Sequence, residues 1–140
     1  MRRRLVALMS AEGLEYGDRT HTYNSRLAQE LAAWGDEAGV TDPLHDALFR
    51  AYFVKAQNVG SIDVLVDIAE SVGLEATEAR SVLEDRRYES TIDAHWVRAR
   101  SVGVTGVPTF VADGIGVVGA QPYEALEGLM TRVGVAKLGA

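Results

Sequence analysis

The chain has 140 residues, of which 47% are apolar and 24% charged, with a formal net charge of −6 and no cysteine. That length allows one domain with a buried core, and the acidic balance argues against a general affinity for nucleic acid or anionic lipid. Without cysteine, these residues hold no disulfide, no thiolate metal ligand and no thiol nucleophile.

The opening stretch MRRRLVALMSAEG carries a basic tip, but its apolar part, Leu5 to Met9, is too short for a secretory signal. No segment approaches membrane-spanning length. The expectation is a cytoplasmic protein with neither nucleic acid nor membrane as partner.

In chain order, Leu5, Leu14 and the apolar residues between them predict a short helix ending near Gly13. A second helix is expected from about Asn24 to Gly39, with Asn24 as cap and Leu27, Leu31 and Trp34 on one face. Asp42 and Pro43 start a third, whose stripe is Leu44, Leu48 and Tyr52 with Ala47 and Ala51 beside it. Ser61 and Gly73 bound a fourth, burying Leu65, Ile68 and Ala69, and two more follow at about Thr77 to Arg87 and Ser90 to Val102.

The period then changes. VPTFVAD is short and rich in β-branched and aromatic residues, and Asp113-Gly114 suits a tight hairpin turn with IGVVG as the returning strand. Gln121-Pro122 opens a last helix to about Val133, with Leu126, Leu129 and Met130 as its buried face. The expected layout is a mostly α chain: a helical block over about 1–100, then a loop, a β-hairpin and a terminal helix over about 101–140, as a single domain.

A proline before a strand is ordinary by itself. In context, GVTGVPTFV between the helix holding Ala94 to Arg100 and a hairpin, GAQP and a helix resembles the carboxyl half of the thioredoxin fold. ALFRAYFVKAQNVGSIDVLVDIAESVGLE (Ala47 to Glu75) is similar to the helical insertion of DsbA-type oxidoreductases of the FrnE-like branch, relatives of 2-hydroxychromene-2-carboxylate isomerase and kappa-class glutathione transferase. THTYNSRLAQELAAWGDEAG resembles the helix before it, with Ala28-Gln29 where the family commonly has Ala-His.

The resemblance implies a helical insertion plus the C-terminal hairpin and helix of a thioredoxin-like α/β fold. It also implies that the Val107-Pro108 bond is cis and faces the active centre. Family members place a strand, a Cys-x-x-Cys site, a helix and a second strand before the insertion, which here begins near Met1. The expectation is therefore a truncated DsbA-like domain, redox-inactive by itself, with no catalytic residue to assign. A non-catalytic peptide- or glutathione-binding module, or a dimeric assembly module, is the alternative.

The resemblance places substrate binding at Gly106, Val107 and Pro108, whose main chain would pair with an incoming peptide or glutathione. Asn24, Tyr52 and Gln121 are further candidates on the same grounds, although Asn24 and Gln121 are also sufficient as helix caps and Tyr52 as core. No cofactor is expected unless glutathione binds. His21, His45 and His95 are too scattered to argue for a metal site, and Ser101, Thr105 and Thr109 flank the Val-Pro step without a visible general base. The Arg2 to Arg4 run and EDRRYE are expected to be solvated helix surface. Without the first half of the fold, Thr109 to Ala112 would be an unpaired apolar edge. The expected partner is a second copy joined across that edge, or a separate chain supplying the missing strands.

Overall fold

The computed structural model describes residues 2–18 and 20–137. Its helices are α1 (Arg2–Ala11), α2 (Arg26–Glu37), α3 (Thr41–Phe49), α4 (Ile62–Ser71), α5 (Ala76–Glu84), α6 (Glu89–Ser101) and α7 (Tyr123–Arg132). A π-helical turn, Arg50–Val54, follows α3, and strands β1 (Thr109–Ala112) and β2 (Ile115–Val118) lie between α6 and α7. The chain forms two compact units, one up to Asp93 and one from Ala94 onward. The mostly helical layout with one late hairpin is the expected one.

In the first unit, the core lies among α2, α3, α4 and α5. Leu31, Leu44, Leu65, Val82 and Leu83 are fully enclosed, with Trp34, Ile68 and Ala69 also buried. Burying such a leucine contributes about 1.5–3 kcal/mol, which holds these short helices where propensity alone would not. Gly35 lies on the face of α2 that meets α3, and a Cβ there would strike Leu44.

The helix starts differ from the sequence reading by a residue or two. α2 begins at Arg26, and the Asn24 Oδ1 accepts the Arg26 N–H at 2.9 Å, so Asn24 serves the helix from one position before the N-cap, Ser25. Asp42 does not cap α3; Val40 holds that position and Asp42 sits inside the first turn, where a carboxylate favours the helix dipole. α5 is capped by Glu75, whose carboxylate accepts the Glu78 N–H at 2.6 Å.

The third helix does not stay α-helical to Tyr52. The Lys55 N–H reaches back to the Arg50 carbonyl at 2.9 Å, and the widened turn leaves the Phe53 carbonyl to accept the Gly17 N–H at 2.7 Å. A Cβ on Gly17 would collide with the Val54 carbonyl oxygen. Gly17→Ala is therefore expected to destabilise the helical unit by about 1–3 kcal/mol, because the obstacle is main chain. Urea unfolding followed by circular dichroism measures it.

EDRRYE is solvated helix surface only in part: Glu84, Asp85, Arg87 and Glu89 are exposed, but Arg86 and Tyr88 are half-buried. Asp85 to Tyr88 form the turn between α5 and α6, with Arg86 in the left-handed region at φ 53°. Arg86 donates from Nε to Glu30 Oε2 at 2.9 Å and from Nη2 to Glu30 Oε1 at 2.7 Å. Arg26 Nε donates to Glu30 Oε1 at 2.9 Å, and its Nη2 reaches Asp93 at 2.7 Å. Glu30 is 1% exposed, a buried carboxylate gripped by two guanidinium groups. These bonds, Arg86 foremost, hold the Glu30 carboxyl below its ordinary range against the opposing effect of burial. The Tyr88 hydroxyl donates to Glu37 at 2.6 Å, and burial together with that carboxylate pushes it up to about 12. Of the basic run at the start, Arg3 and Arg4 are exposed, while the Arg2 side chain lies outside the described residues.

The second unit is built on the hairpin. β1 and β2 pair antiparallel in the register Thr109↔Val118, Phe110↔Val117, Val111↔Gly116 and Ala112↔Ile115, and α7 packs against both strands. Asp113 and Gly114 both have positive φ, 46° and 75°, which is what a two-residue turn matching the strand twist demands. Leu129 on α7 is buried and Leu126 half-buried, but Met130, expected inside, is exposed.

Candidate functional site

The Val107-Pro108 step lies in the loop between α6 and β1. Pro108 supplies no N–H, so local order must come from its neighbours. The Thr109 hydroxyl donates to the Gly106 carbonyl at 2.6 Å, and the Gly119 N–H donates to the Pro108 carbonyl at 2.7 Å. Between these anchors Val107 is 90% exposed, and the Val107-Pro108 peptide bond is cis. No described residue hydrogen-bonds the Val107 main chain.

The Gly119 to Pro108 bond fixes the phase of the ladder. It lies one step outside the Thr109↔Val118 pair, so that pair is a wide, non-hydrogen-bonded one, and so is Val111↔Gly116. The N–H and C=O of Thr109 and Val111 therefore point away from β2, along the outer edge of β1. No further strand among the described residues meets this edge. Beside it, Phe110, Val111, Ile115 and Val118 are exposed. Such an edge offers alternating donors and acceptors to an extended chain.

Gln121 is near this loop but does not cap the last helix, where Pro122 holds the N-cap position. Its Nε2 donates to the Val118 carbonyl at 2.9 Å, the carbonyl that the wide pair turns away from β1. Gly106, Val107 and Pro108 are consecutive in this loop, and Gln121 is linked to it only through Val118 and Gly119, whose N–H holds the Pro108 carbonyl. Asn24 and Tyr52 belong to the first unit: Asn24 beside the turn at Gly60, and Tyr52 half-buried against the helical core with its ring edge on Phe53 at 4.9 Å.

The remaining candidates do not form a reactive set. His21 bonds Thr20 and stacks on Tyr23, His45 lies 3.7 Å from Asp36, and His95 is exposed on α6. Among the described residues no group of three or more histidine or carboxylate side chains could hold a metal ion. The Ser101 hydroxyl donates to the Arg98 carbonyl at 2.8 Å, and neither it nor that of Thr109 meets a histidine or carboxylate through its donor bond. No helix among them is long and apolar enough to cross a membrane.

The sequence matches the DSBA-like thioredoxin domain over residues 1–131. The chain belongs to that family. A solved relative supports the same assignment: a probable DsbA oxidoreductase from Streptomyces coelicolor, 34% identical, superposes with a TM-score of 0.82 over 99% of this chain and 61% of its own. Among curated proteins, the uncharacterized protein YwbO of Bacillus subtilis (strain 168) is 36% identical over 69 residues, which is 49% of this chain and 34% of YwbO. The DsbA-like chain thus spans less than two thirds of either relative.

Sequence reading missed two features of this DsbA-like chain. Glu30 lies three residues from Leu27 and four from Trp34, so the helical period already put it on the buried face; its partner Arg86 is remote in sequence and left no signal. The Thr109 hydroxyl was weighed as a nucleophile, whereas its bond to Gly106 makes it part of the loop's framework.

Proposed function

We propose that this chain is the peptide-engaging portion of a DsbA-type, FrnE-like thiol–disulfide oxidoreductase, binding an extended peptide or glutathione through the main chain at Val107. Disulfide exchange requires an attacking thiolate and a resolving thiol. These 140 residues contain neither, so they are redox-inactive by themselves and any exchange uses thiols of another segment or chain. The observation that carries the reading is the exposed Val107 main chain, held between two anchored carbonyls at the end of an open strand edge.

The test is a titration of the 15N-labelled chain with reduced glutathione at millimolar concentration. The amides of Val107 and Thr109 are expected to shift while those of α4 and α5 stay in place. No movement at Val107 would rule the reading out.

A second reading is that β1 pairs with β1 of another copy. It is favoured by charge: from Ser101 to Pro122 the only ionisable side chain is Asp113, so two such edges meet without the repulsion that a net −6 chain would otherwise bring. Light scattering across a concentration series is expected to give a dimer, and Val111→Lys, which places a charge on that strand, to give a monomer. A wild-type monomer at every concentration would exclude this reading.

A further inference from the structure

We infer that Thr109 and Gln121 are positioning residues for the Val107 peptide group, acting through hydrogen bonds to the loop without touching the ligand. The inference rests on the proposed binding at Val107 and deepens it. The loop has two anchors. On the chain-upstream side, Gly106 offers a carbonyl that Pro108 cannot bond, since proline has no N–H, and the Thr109 hydroxyl takes that place at 2.6 Å. On the downstream side, the Pro108 carbonyl is held by the Gly119 N–H at 2.7 Å.

Gly119 is itself placed by its neighbour's bond. It has φ 91°, open to glycine at no steric cost, and it sits between Val118, whose carbonyl Gln121 Nε2 holds at 2.9 Å, and the start of α7. The Gln121 side chain reaches back from the residue before the Pro122 N-cap to the end of β2 and, because the Val118 C=O and the Gly119 N–H share one peptide plane, fixes where that N–H points. The Thr109 hydroxyl secures the Gly106 carbonyl directly, and the Gln121 carboxamide acts on the Pro108 carbonyl only through the Gly119 N–H it orients, while the Val107 donor and acceptor stay free. A ligand pairing with Val107 then meets groups that are already oriented, and less ordering cost opposes binding.

Four proteins test this: wild type, Thr109→Val, Thr109→Ser and Gln121→Ala, each 15N-labelled and titrated with reduced glutathione. Thr109→Val keeps the shape and removes the donor; losing one such bond is expected to weaken binding about 3- to 10-fold. Thr109→Ser restores the hydroxyl and is expected to return to within about 2-fold of wild type, a rescue that loss of packing would not give. Gln121→Ala, at an exposed position, is expected to weaken binding by a smaller factor and carries the test if Thr109→Val does not fold.

The free proteins supply a readout that needs no ligand. The Val107 N–H order parameter is expected to be near that of rigid backbone in wild type and Thr109→Ser, about 0.85, and to fall below about 0.6 in Thr109→Val. Wild type that binds, with Thr109→Val and Gln121→Ala binding equally well, overturns the positioning role and leaves the function standing. Wild type without a Val107 shift removes the function, and an unchanged order parameter in Thr109→Val overturns the anchor itself.

Discussion

Glu30→Ala is expected to lower the stability of the helical unit by about 3 kcal/mol, near the bottom of the 3–5 kcal/mol range for removing one partner of a buried ion pair. The lower end applies because the guanidinium groups left behind are not stranded. Arg26 retains Asp93 at 2.7 Å and the Glu89 carbonyl at 2.8 Å, and Arg86 retains the Glu89 carboxylate at 3.3 Å. For a unit of this size the loss corresponds to a fall in Tm of about 12 °C or more. Glu30→Gln, which preserves shape and some hydrogen bonding, is expected to lie between wild type and alanine. Thermal unfolding equal to wild type in both variants would show that the carboxylate holds nothing together.

The same group sets an acid dependence. The folded-state pKa of Glu30 is depressed by Arg86 and Arg26, so the folded chain binds this proton less readily than the unfolded chain. The stabilisation is complete above the ordinary carboxylate range and is lost as pH falls through the lowered folded value. Wild type is therefore expected to lose stability on acidification more steeply than Glu30→Ala, which has no such proton to bind. Denaturation midpoints at neutral and acidic pH in the two proteins make the comparison.

What could be seen in the sequence follows the range of the interaction responsible. Asp113-Gly114 was legible because a two-residue turn with both φ positive selects those residues locally. The apolar stripes of α2 and α4 were legible because burial repeats with the helical period. The π-helical turn at Arg50–Val54 was not, since it is stabilised by the Gly17 N–H from a distant part of the chain while the apolar spacing through Tyr52 still reads as α. The same distinction holds at the candidate site. Val107 and Pro108 were found through the family pattern, but the roles of Thr109 and Gln121 depend on which carbonyls the hairpin turns outward, and that required the register.

Leu129→Ala is expected to abolish the ordered structure of the hairpin and α7 while leaving α2 to α5 folded. Leu129 is 3% exposed and is the buried apolar residue among those described beyond Asp93; Tyr123, Met130 and Val135 on and after α7 are exposed. Truncating a buried leucine costs about 2–5 kcal/mol, and a core serving a unit this short rarely supplies more than about 3–5 kcal/mol. The substitution removes most or all of that margin. In the helical unit, Leu31, Leu44, Leu65 and Leu83 share the load, so it does not depend on any single side chain in the same way. Amide hydrogen exchange separates the outcomes: Phe110, Val117 and the amides of α7 should lose protection in Leu129→Ala, while Leu65 and Leu83 keep theirs. Protection retained at Phe110 would mean that the hairpin draws its stability from elsewhere. The thinness of this core also gives ligand binding a thermodynamic signature. Anything that pairs with the β1 edge only when the hairpin is formed shifts the opening equilibrium toward the closed form, so a saturating partner should raise protection at Phe110 and Val117 more than at Leu65.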